Sequence, residues 1–163
     1  MRSFSVTPAN VAAHAKLGRS FFPHMSLADA AVWGRFLRGL PAKFTRFDYD
    51  FALGGSLAFG VHPGEEFHPM WRTLLKKRVD VVAWEDSLPW LIEVKPTANM
   101  AALGQVLAYD WLARIEQAFA VNPRKVVVCG GIDADLPGCY ADFGVSVYVC
   151  DAAAPPGSVA VSL

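Results

Sequence analysis

The spacing of hydrophobic and polar positions changes along the chain, and the changes predict its elements. Ser26 and Asp29 have the spacing of a capping box, and Gly39-Leu40-Pro41 supplies a stop, so a helix is predicted from Ser26 to about Leu40. Lys43 to Leu53 carries aromatics at Phe44, Phe47, Tyr49 and Phe51 and ends at Gly54-Gly55, which predicts a strand. Residues 56–70 hold Gly and Pro turns and predict no regular element. Arg78 to Trp84 is rich in β-branched residues, Glu85-Asp86-Ser87 is a turn signal, and Trp90 to Lys95 reads as the hairpin partner, stopped by Pro96. Met100 to Phe119 then has Leu103, Leu107, Trp111, Ile115 and Phe119 spaced by four, with Ala101, Ala108 and Leu112 on the other side. That helix is expected to be apolar almost all round and buried. Lys125–Cys129 and Val145–Cys150 are two further strands, separated by a loop rich in Gly, Pro and Asp. A Pro-Pro-Gly-Ser linker leads to the apolar tail Val159–Leu163.

The order helix, three strands, helix, strand, with one extra strand, predicts an α/β fold with a mixed central sheet flanked by helices. The chain's 163 residues fit one domain, 1–163, with its core at about 26–130, an extra strand at 145–150 and a short tail at 155–163. Hydrophobic residues make up 53% of it and charged residues 18%, which excludes a disordered chain. So apolar a composition also allows a homo-oligomer or an assembly partner, joined through apolar surface and the tail.

The net charge of zero excludes a uniformly basic protein that coats nucleic acid. The charge is nonetheless polarised. Arg35, Arg38, Lys43 and Arg46 form one basic segment and Arg72, Lys76, Lys77 and Arg78 another, while no Lys or Arg follows Lys125. Cys129, Cys139 and Cys150 lack zinc-site spacing, and Cys129 and Cys150 fall in apolar runs as core thiols. No apolar run has the length of a membrane span, and the first residues lack a secretory signal's apolar core. The expectation is a cytoplasmic protein without a membrane partner.

Within this frame one group of residues breaks the apolar pattern. Glu93 and Lys95 are two apart on a strand and share a face, while Ile92 and Val94 take the other. Asp80 lies between Val79 and Val81 on the preceding strand, so both valines are expected to turn away from it into a core. A hairpin about residues 85–89 would bring Asp80 beside Glu93 or Lys95. Charges in apolar strands are costly unless paired or bound to a metal. Two carboxylates suit Mg²⁺, which takes oxygen ligands and keeps waters for a phosphate substrate, and a lysine can neutralise that phosphate or act on the attacking water. The same set would equally make a cross-strand salt bridge with no ligand.

Val79-Asp80, twelve residues, then Glu93-Val94-Lys95 resembles the signature of the PD-(D/E)xK nuclease superfamily, with valine where the motif's name has proline. The element order from Ser26 to Cys129 is similar to that superfamily's restriction-endonuclease-like αβββαβ core. Gln105-Val-Leu-Ala-Tyr109 resembles the QxxxY motif of its RecB-like exonuclease branch, on the helix after the ExK strand. The Glu-Val-Lys-Pro run is similar to transposon-end endonucleases of the same superfamily. The resemblance implies Asp80, Glu93 and the Val94 backbone carbonyl as ligands of Mg²⁺ or Mn²⁺, and Lys95 as the catalytic lysine. Gln105 and Tyr109 would support the site or touch DNA. An upstream ligand is also implied. Asp29 stands on the first helix, and His62, Glu65, Glu66 and His68 precede Asp80, with Glu66 or His68 preferred. Lys76, Lys77, Arg78 and Arg72 would contact phosphates. Trp71, Trp84, Trp90 and Trp111 are expected in the core rather than as platforms for bases.

Two functions follow. One is a metal-dependent deoxyribonuclease acting on DNA in repair, recombination, mobile-element or phage DNA processing. The other is a non-catalytic protein on the same fold, such as a virion head or neck adaptor, which would be virion-associated. A nucleotide fingerprint or nucleophile elbow is absent, so a small-molecule α/β enzyme is not expected.

Overall fold

The computed structural model describes residues 2–5, 22, 24–39, 43–55, 74–153 and 160–162. Among these, the elements run β1 (Arg2–Ser5), α1 (Leu27–Gly39), β2 (Arg46–Leu53), β3 (Lys77–Glu85), β4 (Leu88–Ala98) and α2 (Met100–Ile115). Then come β5 (Arg124–Ile132), α3 (Pro137–Asp142), β6 (Val145–Val149) and β7 (Ala160–Ser162). The predicted helix–three strands–helix–strand order is present. The strands form one mixed sheet in sequence order, β1 to β7. Neighbours from β1 to β4 are antiparallel, β4–β5 and β5–β6 are parallel, and β6–β7 is antiparallel.

Helix α1 covers one face. Trp33, Phe36 and Leu37 pack with Phe47, Tyr49, Val81, Ile92 and Val126, all buried. Its start is as predicted, because the Asp29 N–H donates to Ser26 Oγ and the Ser26 N–H donates to Asp29 Oδ2. Helices α2 and α3 cover the other face. Ala102, Leu103 and Val106 pack on Val127, Cys129, Val145 and Val147, and Tyr109 and Ala113 pack on Val79, Val82 and Leu91. Cys129 and Cys150 are buried free thiols, as expected.

Three expectations need correction. The buried residues of α2 are Ala102, Leu103, Val106, Tyr109 and Ala113; of the predicted stripe spaced by four, Leu103 is buried and Leu107 and Phe119 are partly buried, while the rest of the buried face runs at i, i+4, i+7 and i+11 from Ala102. Trp111 and Ile115 of that stripe are half-exposed, and Ala101 and Ala108 are exposed. Second, β4 does not stop at Pro96 but runs to Ala98, pairing with β5 as far as Ala98↔Ile132. Third, part of the tail, Ala160–Ser162, pairs with β6 of its own chain, so those three residues use their backbone inside the sheet.

Helix α2 starts on Asn99, whose side-chain oxygen accepts the Ala102 N–H at 3.0 Å while its carbonyl accepts the Tyr140 hydroxyl at 2.7 Å. Asn99→Ala removes only the first of these bonds. It is expected to cost about 1 kcal/mol, read as a fall in the denaturant midpoint with an unchanged m-value.

Candidate functional site

The β3–β4 hairpin turns tightly at Asp86-Ser87 and pairs from Glu85↔Leu88 to Val81↔Ile92. Continuing that register sets Asp80 opposite Glu93, and there the two strands part. Strand β3 stays with β2 as far as Leu53↔Lys77, and β4 stays with β5. A fork therefore opens inside the sheet, and the predicted acidic residues stand at its apex.

At the apex Asp80 acts in place of a backbone acceptor. Its Oδ2 accepts the Val94 N–H at 2.9 Å. That bond places the Val94 N–H on the fork side, and in an extended residue the carbonyl lies on the same side. Pro96 falls at a gap in the β4–β5 pairing, between Lys95↔Cys129 and Thr97↔Gly131, where its lack of an N–H leaves no ladder bond unmade. This explains why a proline does not end β4.

Glu93 and Lys95 share a face, as alternation predicts, with Lys95 Nζ 2.6 Å from Glu93 Oε1. Glu93 is buried, 1% exposed, whereas the Lys95 side chain keeps 28% of its surface in solvent. Neither Glu93 oxygen has a hydrogen bond of good geometry among the described residues. The contact with Lys95 is short but poorly directed. Tyr109 reaches towards Glu93 from α2, and the Gln105 amide donates to the Tyr109 hydroxyl at 3.2 Å. The structure thus brings Asp80, Glu93, Lys95, Tyr109 and Gln105 together.

The valines beside Asp80 do not share one core. Val81 packs under α1 and Val79 under α2. The alternation slips there because Asp50, which faces Asp80 in the β2–β3 register, has a φ of +56° and drops out of the ladder. Asp50 was not anticipated at all. It pairs with Arg78 at 3.1 Å and stands 3.4 Å from His24, while its Oδ1 is buried without a hydrogen bond among the described residues. A polar residue in mid-strand gives no sequence signal of such a kink.

Electrostatics at the apex follow from burial. Desolvation raises the Asp80 pKa to about 6; the Val94 N–H and Lys95 pull it back, and the charges of Asp29 and Asp50 push it up. Desolvation and the Asp80 charge raise Glu93 to about 7, against the pull of Lys95 and Tyr109. For Lys95, burial works against the charge. The bond to Glu93 and the charges of Glu93, Asp80 and Asp29 outweigh it, so its pKa is raised. Lys95 is therefore a cation at neutral pH, and the expected option of proton abstraction by it does not suit this arrangement. Burial chiefly, with the Glu93 charge, also raises Tyr109, so its hydroxyl keeps its proton.

Among the described residues no three His, Cys, Asp or Glu side chains form a cluster able to hold a metal. The donors at the apex are two carboxylates and a main-chain carbonyl turned to the fork. Glu66, His68, Glu65, His62, Arg72 and Trp71 lie outside the described residues. Asp29 makes its cap, yet its charge also reaches Asp80 and Lys95. Of the predicted phosphate contacts, Lys76, Lys77 and Arg78 are exposed at the start of β3, and Arg78 shares its charge with Asp50. The other basic segment is engaged structurally: Arg35 donates to the Cys150 carbonyl, Lys43 pairs with Glu85, and Arg46 pairs with Asp48. Trp90 is buried as expected and Trp84 is half-buried, but Trp111 is 49% exposed.

No family model, curated protein or solved structure matches the chain. No helix among the described residues is long and apolar enough to cross a membrane.

Proposed function

We propose that the protein is a divalent-cation-dependent DNA nuclease of the PD-(D/E)xK type, with Asp80, Glu93 and Lys95 at its centre. One observation carries the reading. Glu93 is a buried carboxylate with no directed hydrogen bond among the described residues, placed beside a second carboxylate where β3 and β4 part. A salt bridge alone accounts for it poorly, because Glu93 remains hard to ionise even with Lys95 beside it.

The donor set fits Mg²⁺ or Mn²⁺. Mg²⁺ commonly takes one or two carboxylates and completes its shell with water and substrate phosphate, so a three-carboxylate cluster is not needed. Asp80, Glu93 and the Val94 carbonyl would hold the ion, which when bound would stabilise charge on the phosphate and lower the pKa of water. Asp80 keeps Oδ1 for this purpose while Oδ2 anchors the Val94 N–H. Lys95, protonated and partly exposed, offers positive charge to a phosphate oxygen. Tyr109, held by Gln105, restrains the Glu93 carboxylate from the helix side.

The test is cleavage of plasmid and linear DNA with Mg²⁺ or Mn²⁺. Cleavage should stop with EDTA and fall on the order of a thousandfold in Lys95→Ala, since several kcal/mol of charge stabilisation is removed. A well-folded protein that cuts neither DNA with either ion, and whose melting temperature neither ion moves, would refute the reading. That result would leave the non-catalytic alternative.

A further inference from the structure

A groove of about 740 Å³ lies next to the apex, between the start of β3 and helix α2, and beyond Gln105 and Tyr109 the catalytic reading above does not use its lining. Lys76, Lys77 and Arg78 line one side. Ala101, Gly104, Ala108 and Trp111 line the other, at i, i+3, i+7 and i+10 along one face of α2. Small residues leave that face open, and a Cβ on Gly104 would meet no atom within 4 Å. The Trp111 indole is 49% exposed. Lys76 and Lys77 make no ion pair among the described residues. Tyr109 and Gln105 line the same groove and join it to Glu93.

Cations facing an exposed indole across an open floor suit a ligand with both phosphates and accessible base faces. Base–aromatic stacking together with a basic track is how single strands are held without sequence preference. A paired duplex hides its base faces from an indole except at its ends. The volume also falls in the range, about 300–1,000 Å³, that encloses a ligand of nucleotide size. We propose that this groove binds a single strand of nucleic acid, with phosphates along Lys76–Arg78 and a base on Trp111, and leads it to Glu93. The inference rests on the nuclease reading for what happens to the strand, though not for its binding.

The experiment measures fluorescence anisotropy of a labelled oligothymidylate on the full chain carrying Asp80→Asn, in EDTA, against a duplex of equal length. The single strand should bind about tenfold tighter than the duplex. Trp111→Ala should weaken it roughly tenfold, and Lys77→Ala should reduce the slope of log K against log salt by about 0.7. Gly104→Leu places a side chain in open space on a helix, where the fold tolerates it, and should block the strand. Equal binding of strand and duplex, or unchanged binding in both Trp111→Ala and Gly104→Leu, would overturn the groove. So would displacement of the strand by a poly-glutamate peptide as readily as by unlabelled oligothymidylate. Cleavage by the wild type that Gly104→Leu leaves intact overturns the groove and spares the nuclease reading. Strand binding blocked by Gly104→Leu in a protein that never cuts does the reverse.

Discussion

Glu93→Gln is expected to abolish DNA cleavage while making the metal-free protein more stable above neutral pH. The stability half follows from linkage. Glu93 and Asp80 have pKa values of about 7 and about 6 in the folded chain, above their ordinary values of 4.5 and 3.8. Both carboxyls therefore bind protons more tightly folded than unfolded. Their contribution to stability is fully present below about pH 4 and is lost as pH rises through 6 and 7. The neutral amide of Gln avoids that loss. Lys95 does not reverse the sign, because its attraction is already contained in a Glu93 pKa that still lies above normal. The gain at pH 8 is on the order of 2 kcal/mol, or a rise in melting temperature of about 4–8 °C for a domain of this size. It should vanish near pH 4. Adding Mg²⁺ should raise the melting temperature of the wild type and leave Glu93→Gln unmoved. Cleavage should fall on the order of a thousandfold. Asp80→Asn should behave alike, since an Asn oxygen can still accept the Val94 N–H. A Glu93→Gln protein that melts lower than wild type at pH 8 would show Glu93 to be a structural ion-pair partner.

Opposite effects on stability and activity at one side chain distinguish a site from a brace, and much of this site was legible before the fold. The β-branched run at 78–84, the turn at 85–87 and the step of two from Glu93 to Lys95 were enough to place the three charges together. The capping box at Ser26 and Asp29 was readable too, because both partners lie within one turn. What failed depended on longer-range geometry. Alternation assumes an unbroken strand, and the positive φ at Asp50 breaks it, which sends Val79 and Val81 into different cores. Pro96 signals a strand end only if the ladder needs its missing N–H, and the β4–β5 pairing skips that position and resumes at Thr97. A spacing of four marks a stripe that drifts around a helix of 3.6 residues per turn, so Trp111 and Ile115 leave the core that Val106, Tyr109 and Ala113 keep. The open face this creates is the same face that forms the groove.

The second large effect concerns the helix that closes the other face. Trp33→Ala is expected to cost about 5 kcal/mol. Trp33 is fully buried on α1 and contacts the rings of Phe36, Phe47 and Tyr49. Truncating a buried Trp costs roughly 3–5 kcal/mol through lost transfer energy and the cavity left behind. The change also removes the indole donor 3.1 Å from the buried Tyr49 hydroxyl, and the loss of one buried hydrogen bond adds about 1 kcal/mol. Relaxation around the cavity makes the sum less than additive. At about 2–4 °C per kcal/mol the melting temperature should fall by roughly 10–20 °C. Trp33→Phe keeps much of the packing and isolates the hydrogen bond, so it should cost less. Adding Tyr49→Phe to Trp33→Phe should then recover part of that cost, because the hydroxyl that lost the indole donor is then gone as well. Absence of recovery in this cycle would mean the hydrogen bond carries none of the loss. The consequence reaches the site, because α1 holds Asp29, whose charge bears on both Asp80 and Lys95. If α1 loosens, that negative charge moves away and Asp80 becomes easier to ionise. The pH dependence of stability in Trp33→Phe should therefore shift slightly downward from that of the wild type, a change that packing loss distant from the site would not produce.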